Sequence, residues 1–305
     1  MSANKKNTIH QIIDSWYYQK MCSNSHFYYN EFLRAIEINK NQEIEETKVY
    51  QLLTLMLSAE KTKFKEIISA NKKLYRGRIV DINKVDCFSV IDDKLHGLNK
   101  YESKEPPLRK SKDGRSNLAG ASYLYVADDK YTAIAECKPL RGSFISVAEF
   151  ETCKNLKMFN LCDDDSTAEL SEFEEDDFSV TRLVELLMRT FYCSVYDAET
   201  GYKASQYITE LVRKHGYDGI AFKSFISNGK NYTIFNCCES NIKFVESEIV
   251  KIVAQHIDIV SLNNSEDITN PNTYKLPPKE EYQDFKRYLV DKIKTLTEEQ
   301  TNEKA

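Results

Sequence analysis

The sequence predicts an α+β fold, and three observations predict it. Residues 1–70 repeat apolar side chains at helical spacing. Residues 71–262 are dominated by short β-branched and aromatic runs separated by turn residues. Helical periodicity then returns near the C-terminus. Helices at both ends around a mostly β middle imply a mixed β core, an added N-terminal helical region and a C-terminal helix.

Taken in order, Ile9, Ile12, Ile13 and Trp16 share one helical face, as do Tyr29, Phe32, Leu33 and Ile36, and then Val49, Leu52, Leu53 and Met56. From Leu74 the pattern becomes that of strands, through Asp81 and again over Val85 to Ile91. A polar loop from Leu98 to Ala121 holds Pro106 and Pro107, and its length suits a segment that either serves a site or is disordered. Ser122 to Ala127 reads as a strand with Tyr123 and Tyr125 on one face. Asp128 or Asp129 then caps a helix over Tyr131 to Cys137. Strands are expected over Ser143–Phe150 and Leu156–Leu161, and helices over Ser179–Tyr196 and Lys203–His215, the second ended by Gly216. Tyr217–Lys223 and Tyr232–Cys237 are strands around the turn 227–230, and Ile242–Glu246 and Ile249–Leu262 add more. Asn263–Pro278 is a linker with three prolines, followed by a helix marked by Tyr282, Phe285, Leu289 and Ile293. The expected division is 1–70, 71–262 and 263–305.

Bulk composition excludes several classes. The formal charge of −5 leaves no basic excess to neutralise nucleic-acid phosphates. No run approaches the roughly 18 apolar residues of a membrane span, and the N-terminus lacks a secretory apolar core. The 8 cysteines show no CxxC and no metal-ligand spacing, so they read as reduced thiols of a cytoplasmic protein. The 5 histidines form no HExxH, so no metal site is expected. The acidic stretch Glu172–Asp177 reads as a solvated connection.

The stretch from Arg115 to Glu136 sets an arginine in a Gly/Ser/Asn loop, then an aromatic strand, then a helix ending in a glutamate. Such a unit can form the lip of a small-molecule pocket. Two other segments bring polar groups into apolar surroundings: Arg76 in LYRGR, with Arg78 on the same strand face, and Ser224 closing GIAFKS. Each has a plainer reading. An arginine in a strand is usually paired at the surface, a glutamate ending a helix is usually solvated, and a serine after a strand is usually turn chemistry.

Together, in this order, the segments resemble the RES domain family, named for its Arg, Glu and Ser. The matching stretches are LYRGR (Arg76), GRSNLAGASYLYVADDKYTAIAE (Arg115, Tyr123, Tyr125, Glu136) and YKASQYITELVRKHGYDGIAFKSFISNGKNYTIF (Tyr202, Gln206, Ser224, Asn231). The resemblance spans about Leu74 to Phe235. The family's central loop runs Arg-Phe-Asn with prolines and a glycine; here Arg115, Asn117 and Gly120 remain and the aromatic is replaced by Ser116.

The resemblance implies a fold similar to ADP-ribosyltransferase toxins and an enzyme that consumes NAD as a substrate, with no resident cofactor. Members are typically toxins of bacterial toxin–antitoxin pairs. They cleave the nicotinamide–ribose bond with water or phosphate, and some transfer ADP-ribose to a protein. By that resemblance Glu136, Arg76 and Ser224 are the catalytic set. Arg115, Tyr123, Tyr125, Tyr202, Gln206 and Asn231 are the NAD-binding set. The implied partner is a small helix-turn-helix antitoxin, and the added N-terminal helices are candidates for tuning activity, forming a homo-oligomer or recognising a trigger. A non-catalytic module that senses nucleotide or holds a partner is the alternative from another class. No GxGxxG is present, so a hydride-carrying dinucleotide fold is not expected.

Overall fold

The structure, a computed structural model, describes residues 24–38, 41–58, 63–81, 89–91, 94–107, 109, 111, 113–162, 177–192 and 202–254. The expected first and C-terminal helices, the linker and the acidic stretch up to residue 176 lie outside these residues. Three helices open the described chain: α1 (residues 24–38), α2 (Asn41–Glu45) and α3 (Lys48–Ser58). Ten strands then form one sheet. They are β1 (Lys65–Ile68), β2 (Lys73–Val80), β3 (Ser89–Ile91), β4 (Lys94–His96), β5 (Leu124–Ala127), β6 (Phe144–Thr152), β7 (Leu156–Leu161), β8 (Gly219–Lys223), β9 (Lys230–Ile234) and β10 (Ile242–Lys251). The intervening helices are α4 (Lys100–Ser103), α5 (Lys130–Ala135), α6 (Asp177–Tyr192) and α7 (Lys203–Lys214). The sheet order is β1-β7-β8-β9-β5-β2-β6-β10-β4-β3, antiparallel except for β7 beside β8, so the fold is α+β with a mixed sheet.

The helices form where the periodicity places them. α3 buries Val49, Leu52, Leu53 and Met56, one continuous stripe. α7 buries Ala204, Ile208, Leu211 and Val212 in the same way, and its chain turns at Gly216 with φ of +74°, a conformation that costs glycine nothing. Asp129 caps α5 by accepting from the Thr132 N–H. Asn99 and Glu102 close a reciprocal capping box on α4, inside what the sequence suggests is a plain loop.

Two apolar clusters hold the layers together. One joins α1–α3 to α6, α7, β7 and β8 through Phe32, Leu53, Phe64, Phe159, Leu187 and Phe191. The other joins strands from β1 to β10 around Leu74, Leu124, Phe150 and Met158. Truncating one of these fully buried side chains to alanine costs about 2–5 kcal/mol. The N-terminal helices therefore share a core with the sheet. Residues 65–68, inside the segment read as helical, form edge strand β1 on β7, from Lys65↔Phe159 to Ile68↔Leu156. A four-residue strand leaves too short an alternation to be recognised beside long helical stripes.

Candidate active site

The site opens where the sheet splits. β2 pairs with β6 along its whole length, from Lys73↔Glu151 to Val80↔Phe144, but with β5 only at Tyr75↔Ala127. Past that pair β2 and β5 part, and α5 lies against β2. A Cβ on Gly77 would sit 2.5 Å from the Ala133 carbonyl oxygen and 2.7 Å from Cys137 Sγ, so only glycine permits this approach. The split leaves a cleft of about 680 Å³. A row of direct register partners crosses its floor: Tyr75 on β2, Ala127 on β5, Asn231 on β9 and Phe222 on β8.

Glu136 follows the last residue of α5 and is exposed in the cleft. Its Oε1 accepts from Ser224 Oγ at 2.7 Å and from Asn231 Nδ2 at 2.6 Å. Among the described residues nothing bonds its Oε2. Two neutral donors thus fix the carboxylate without cancelling its charge. Ser224 lies just behind the cleft wall. Its Oγ accepts from the N–H groups of Ile226 at 3.2 Å and Ser227 at 3.1 Å, and its one proton is committed to Glu136. The arrangement makes Ser224 an orienting group for the Glu136 carboxylate.

The 224–229 loop is clipped to the other end of α5. Thr132 Oγ1 donates to Asp129 Oδ2 at 2.5 Å. With that proton used, Ser227 Oγ donates to Thr132 Oγ1 at 2.8 Å, and the Gly229 N–H donates to Ser227 Oγ at 3.3 Å. A Cβ on Gly229 would lie 2.1 Å from Thr132 Oγ1. One short helix therefore locates both ends of the loop that carries Ser224.

Three arginines line the cleft. Arg76 Nη1 donates to the Ser103 and Lys104 carbonyls at 3.2 and 2.6 Å, and Arg78 Nη2 donates to the same Lys104 carbonyl at 2.9 Å. Burial, then the charge of neighbouring Arg78, pulls the Arg76 guanidinium down to about 10. Arg115 donates from Nη1 to the Phe191 carbonyl near the end of α6, and its guanidinium lies 5.9 Å from the Phe222 ring centroid.

The loop bearing Arg115 is fixed from two sides. Gln206 Nε2 on α7 donates to the Gly114 carbonyl at 2.9 Å and the Asn117 carbonyl at 3.1 Å. Tyr125 OH donates to Asn117 Oδ1 at 2.7 Å and accepts from the Ser116 N–H at 3.1 Å. Burial holds the Tyr125 phenol above its ordinary range.

Of the residues singled out in the sequence, Arg76, Arg115, Tyr125, Glu136, Tyr202 and Asn231 line the cleft. Gln206 stands behind it as a loop anchor. Tyr123 is not brought there: its hydroxyl donates to Glu210 Oε1 at 2.7 Å and its ring packs on Phe235, 5.0 Å between centroids. Two residues along an extended chain cover about 7 Å, which carries Tyr123 past the cleft while both tyrosines keep to the α7 side. Tyr75, Arg78 and Phe222 are cleft residues that the candidate set lacks. Strand alternation was the available signal, since Phe222 stands two residues before Ser224 and Arg78 two after Arg76.

The family model described as RES domain matches residues 93–256, more than half of the chain, and the chain belongs to that family. The match begins after β2, so Arg76 and Arg78 precede it. No curated protein matches the chain. Among solved structures, a chain of the M. tuberculosis MbcT-MbcA toxin-antitoxin complex is similar at 9% identity and a TM-score of 0.35, over 67% of this chain and 92% of that one. Among the described residues no helix is long and apolar enough to cross a membrane.

Proposed function

We propose that this protein is an NAD-degrading toxin that cleaves the nicotinamide–ribose bond by hydrolysis or phosphorolysis. The observation that carries the reading is the Glu136 carboxylate, fixed through one oxygen by Ser224 and Asn231 at a cleft lined by arginines and aromatic rings. When the bond from ribose C1′ to the nicotinamide nitrogen breaks, the pair of electrons leaves with neutral nicotinamide and the ribose becomes oxocarbenium-like. A fixed, charged carboxylate accepting from the ribose hydroxyls offsets that developing charge. Water or phosphate then bonds to C1′ and loses its proton. Arginine forks suit the diphosphate, and Tyr125, Tyr202 and Phe222 offer faces to the flat rings. Family membership extends the reading to a cytoplasmic toxin held in check by a small protein antitoxin.

The test is turnover of NAD with product identification on wild type and Glu136→Gln. Release of nicotinamide together with ADP-ribose or its 1″-phosphate, lost in the variant, is expected. Intact NAD in water and in phosphate overturns the reading, and label captured on a protein instead moves it to ADP-ribosyl transfer.

A further inference from the structure

We propose that Arg78 is a substrate-binding residue, forming with Arg76 a two-arginine seat for a diphosphate, whereas Arg115 serves to build the cleft wall. This rests on the dinucleotide reading given above and names which side chains take the charged middle of that substrate.

Arg76 and Arg78 stand two residues apart on β2 and both line the cleft. Both donate to the Lys104 carbonyl, so that one oxygen gathers the two guanidiniums side by side. Two like charges this close repel. Among the described residues neither forms an ion pair, although carboxylates elsewhere in the molecule are matched to lysines at 2.6 to 3.0 Å. Arg78 Nε is buried and, among the described residues, makes no hydrogen bond. The Glu105 and Glu102 carboxylates favour the charged forms of Arg76 and Arg78 from a distance without bonding them, and partly desolvated cations that no carboxylate contacts directly gain from an anion that joins them. Each arginine commits only one terminal nitrogen to the protein, which leaves donors of both forks for a ligand. Two adjacent forks suit an anion with two phosphoryl groups better than one with a single group.

Arg115 is used differently. Its Nη1 is bonded to the Phe191 carbonyl, its guanidinium lies over the Phe222 ring, and its own carbonyl accepts from Ser205 Oγ at 2.5 Å. These contacts join α6, β8 and α7 around the cleft. The division of labour among the arginines follows from where their donors already point.

Binding separates this inference from catalysis. Affinities of ADP, AMP and inorganic pyrophosphate are measured by calorimetry on the full chain, as wild type, Arg78→Ala and Arg78→Lys. Wild type is expected to bind ADP more tightly than AMP, with pyrophosphate competing. Arg78→Ala is expected to weaken ADP by about tenfold or more and to narrow the ADP-over-AMP preference. Arg78→Lys, a point charge without the fork, falls between the two and also serves if the alanine variant does not fold. An Arg78 variant that binds ADP as wild type does overturns the inference, as does a wild type that prefers AMP or ignores pyrophosphate. Because no turnover is needed, a protein that shows this binding pattern yet leaves NAD intact sinks the cleavage reading alone. One that cleaves NAD with Arg78→Ala affinities unchanged sinks this inference alone.

Discussion

Two carboxylates flank Tyr75, and their treatment differs. On the β6 side, Glu149 is the register partner of Tyr75, is buried, and meets Lys73 Nζ at 2.8 Å. Its neighbour Glu248 likewise meets Lys130 at 2.6 Å. On the β5 side, Glu136 is exposed, and only a hydroxyl and an amide hold it. The arginines of that cleft bond backbone carbonyls. On the unbroken side of β2 these two carboxylates meet lysines. On the split side the charges stay separated, as a site for a charged substrate requires.

The sharpest way to break that contrast is a matched pair of substitutions. Glu136→Gln keeps shape and hydrogen-bonding capacity and removes the charge. The expected loss in kcat for NAD cleavage is about a hundredfold or more, with little change in unfolding midpoint because the side chain is exposed. Glu149→Gln should leave kcat within about twofold and lower stability by about 1 kcal/mol or less, since Lys73 on the other side of that pair is largely solvated. Similar kinetic losses in both variants end the argument that the split, and not any carboxylate beside Tyr75, defines the site.

Gly77 tests the split mechanically. Gly77→Ala drives a Cβ to within 2.5 Å of the Ala133 carbonyl, which is backbone and has little room to yield. Pushing α5 off β2 is expected to cost about 1–3 kcal/mol of stability and to lower kcat as well, because Glu136 rides on the end of α5. Chemical denaturation together with steady-state rates checks both. A variant that is destabilised but keeps full kcat separates the packing of α5 from the placement of Glu136.

Ser224→Ala reaches the same carboxylate from the other side. It removes one donor to Glu136 and strands the N–H groups of Ile226 and Ser227. The expected cost is about 1–3 kcal/mol in stability, and kcat should fall about tenfold while the KM for NAD changes less. Equal changes in both constants would point instead to direct contact of Ser224 with substrate.

What the sequence revealed of this region was local. The strand around LYRGR, the Asp129 cap and the α7 stripe each rest on residues within one or two turns of each other. Glu136 could be singled out because a helix end and its loop are close in the chain. The split at Tyr75↔Ala127 could not, because register between strands some 50 residues apart is set by packing across the whole sheet. Arg115 bonding Phe191, 76 positions away, is of the same kind, and so is the passage of Tyr123 to Glu210 on α7. β1 escaped because helical residues precede it and its partner β7 comes about 90 positions later. Motif and periodicity identify side chains with chemistry; long-range pairing decides which of them share a cleft.

The smallest effect is expected at the far edge of the arginine pair, where the contrast is weakest. Glu239 takes both Lys100 at 2.8 Å and Lys104, and so tethers α4, whose end supplies the carbonyls that hold Arg76 and Arg78. All three side chains retain exposure, so screening limits what the tether contributes. The hydrogen bonds from Lys100, then Lys104, draw the Glu239 carboxyl down to about 2. A depressed acid stabilises the fold above its unfolded value of roughly 4.3, and that contribution fades as pH falls from there toward about 2. Glu239→Gln should therefore weaken ADP binding by no more than about fivefold at neutral pH and low salt. The difference from wild type should shrink in about 1 M salt, where screening acts within roughly 3 Å, and on acidification toward about pH 2, where the carboxyl of the folded protein takes up its proton. A gap that persists under both conditions would mean that Glu239 acts through the shape of the α4 turn and not through charge, and would place the anchoring of the two arginines in the backbone alone.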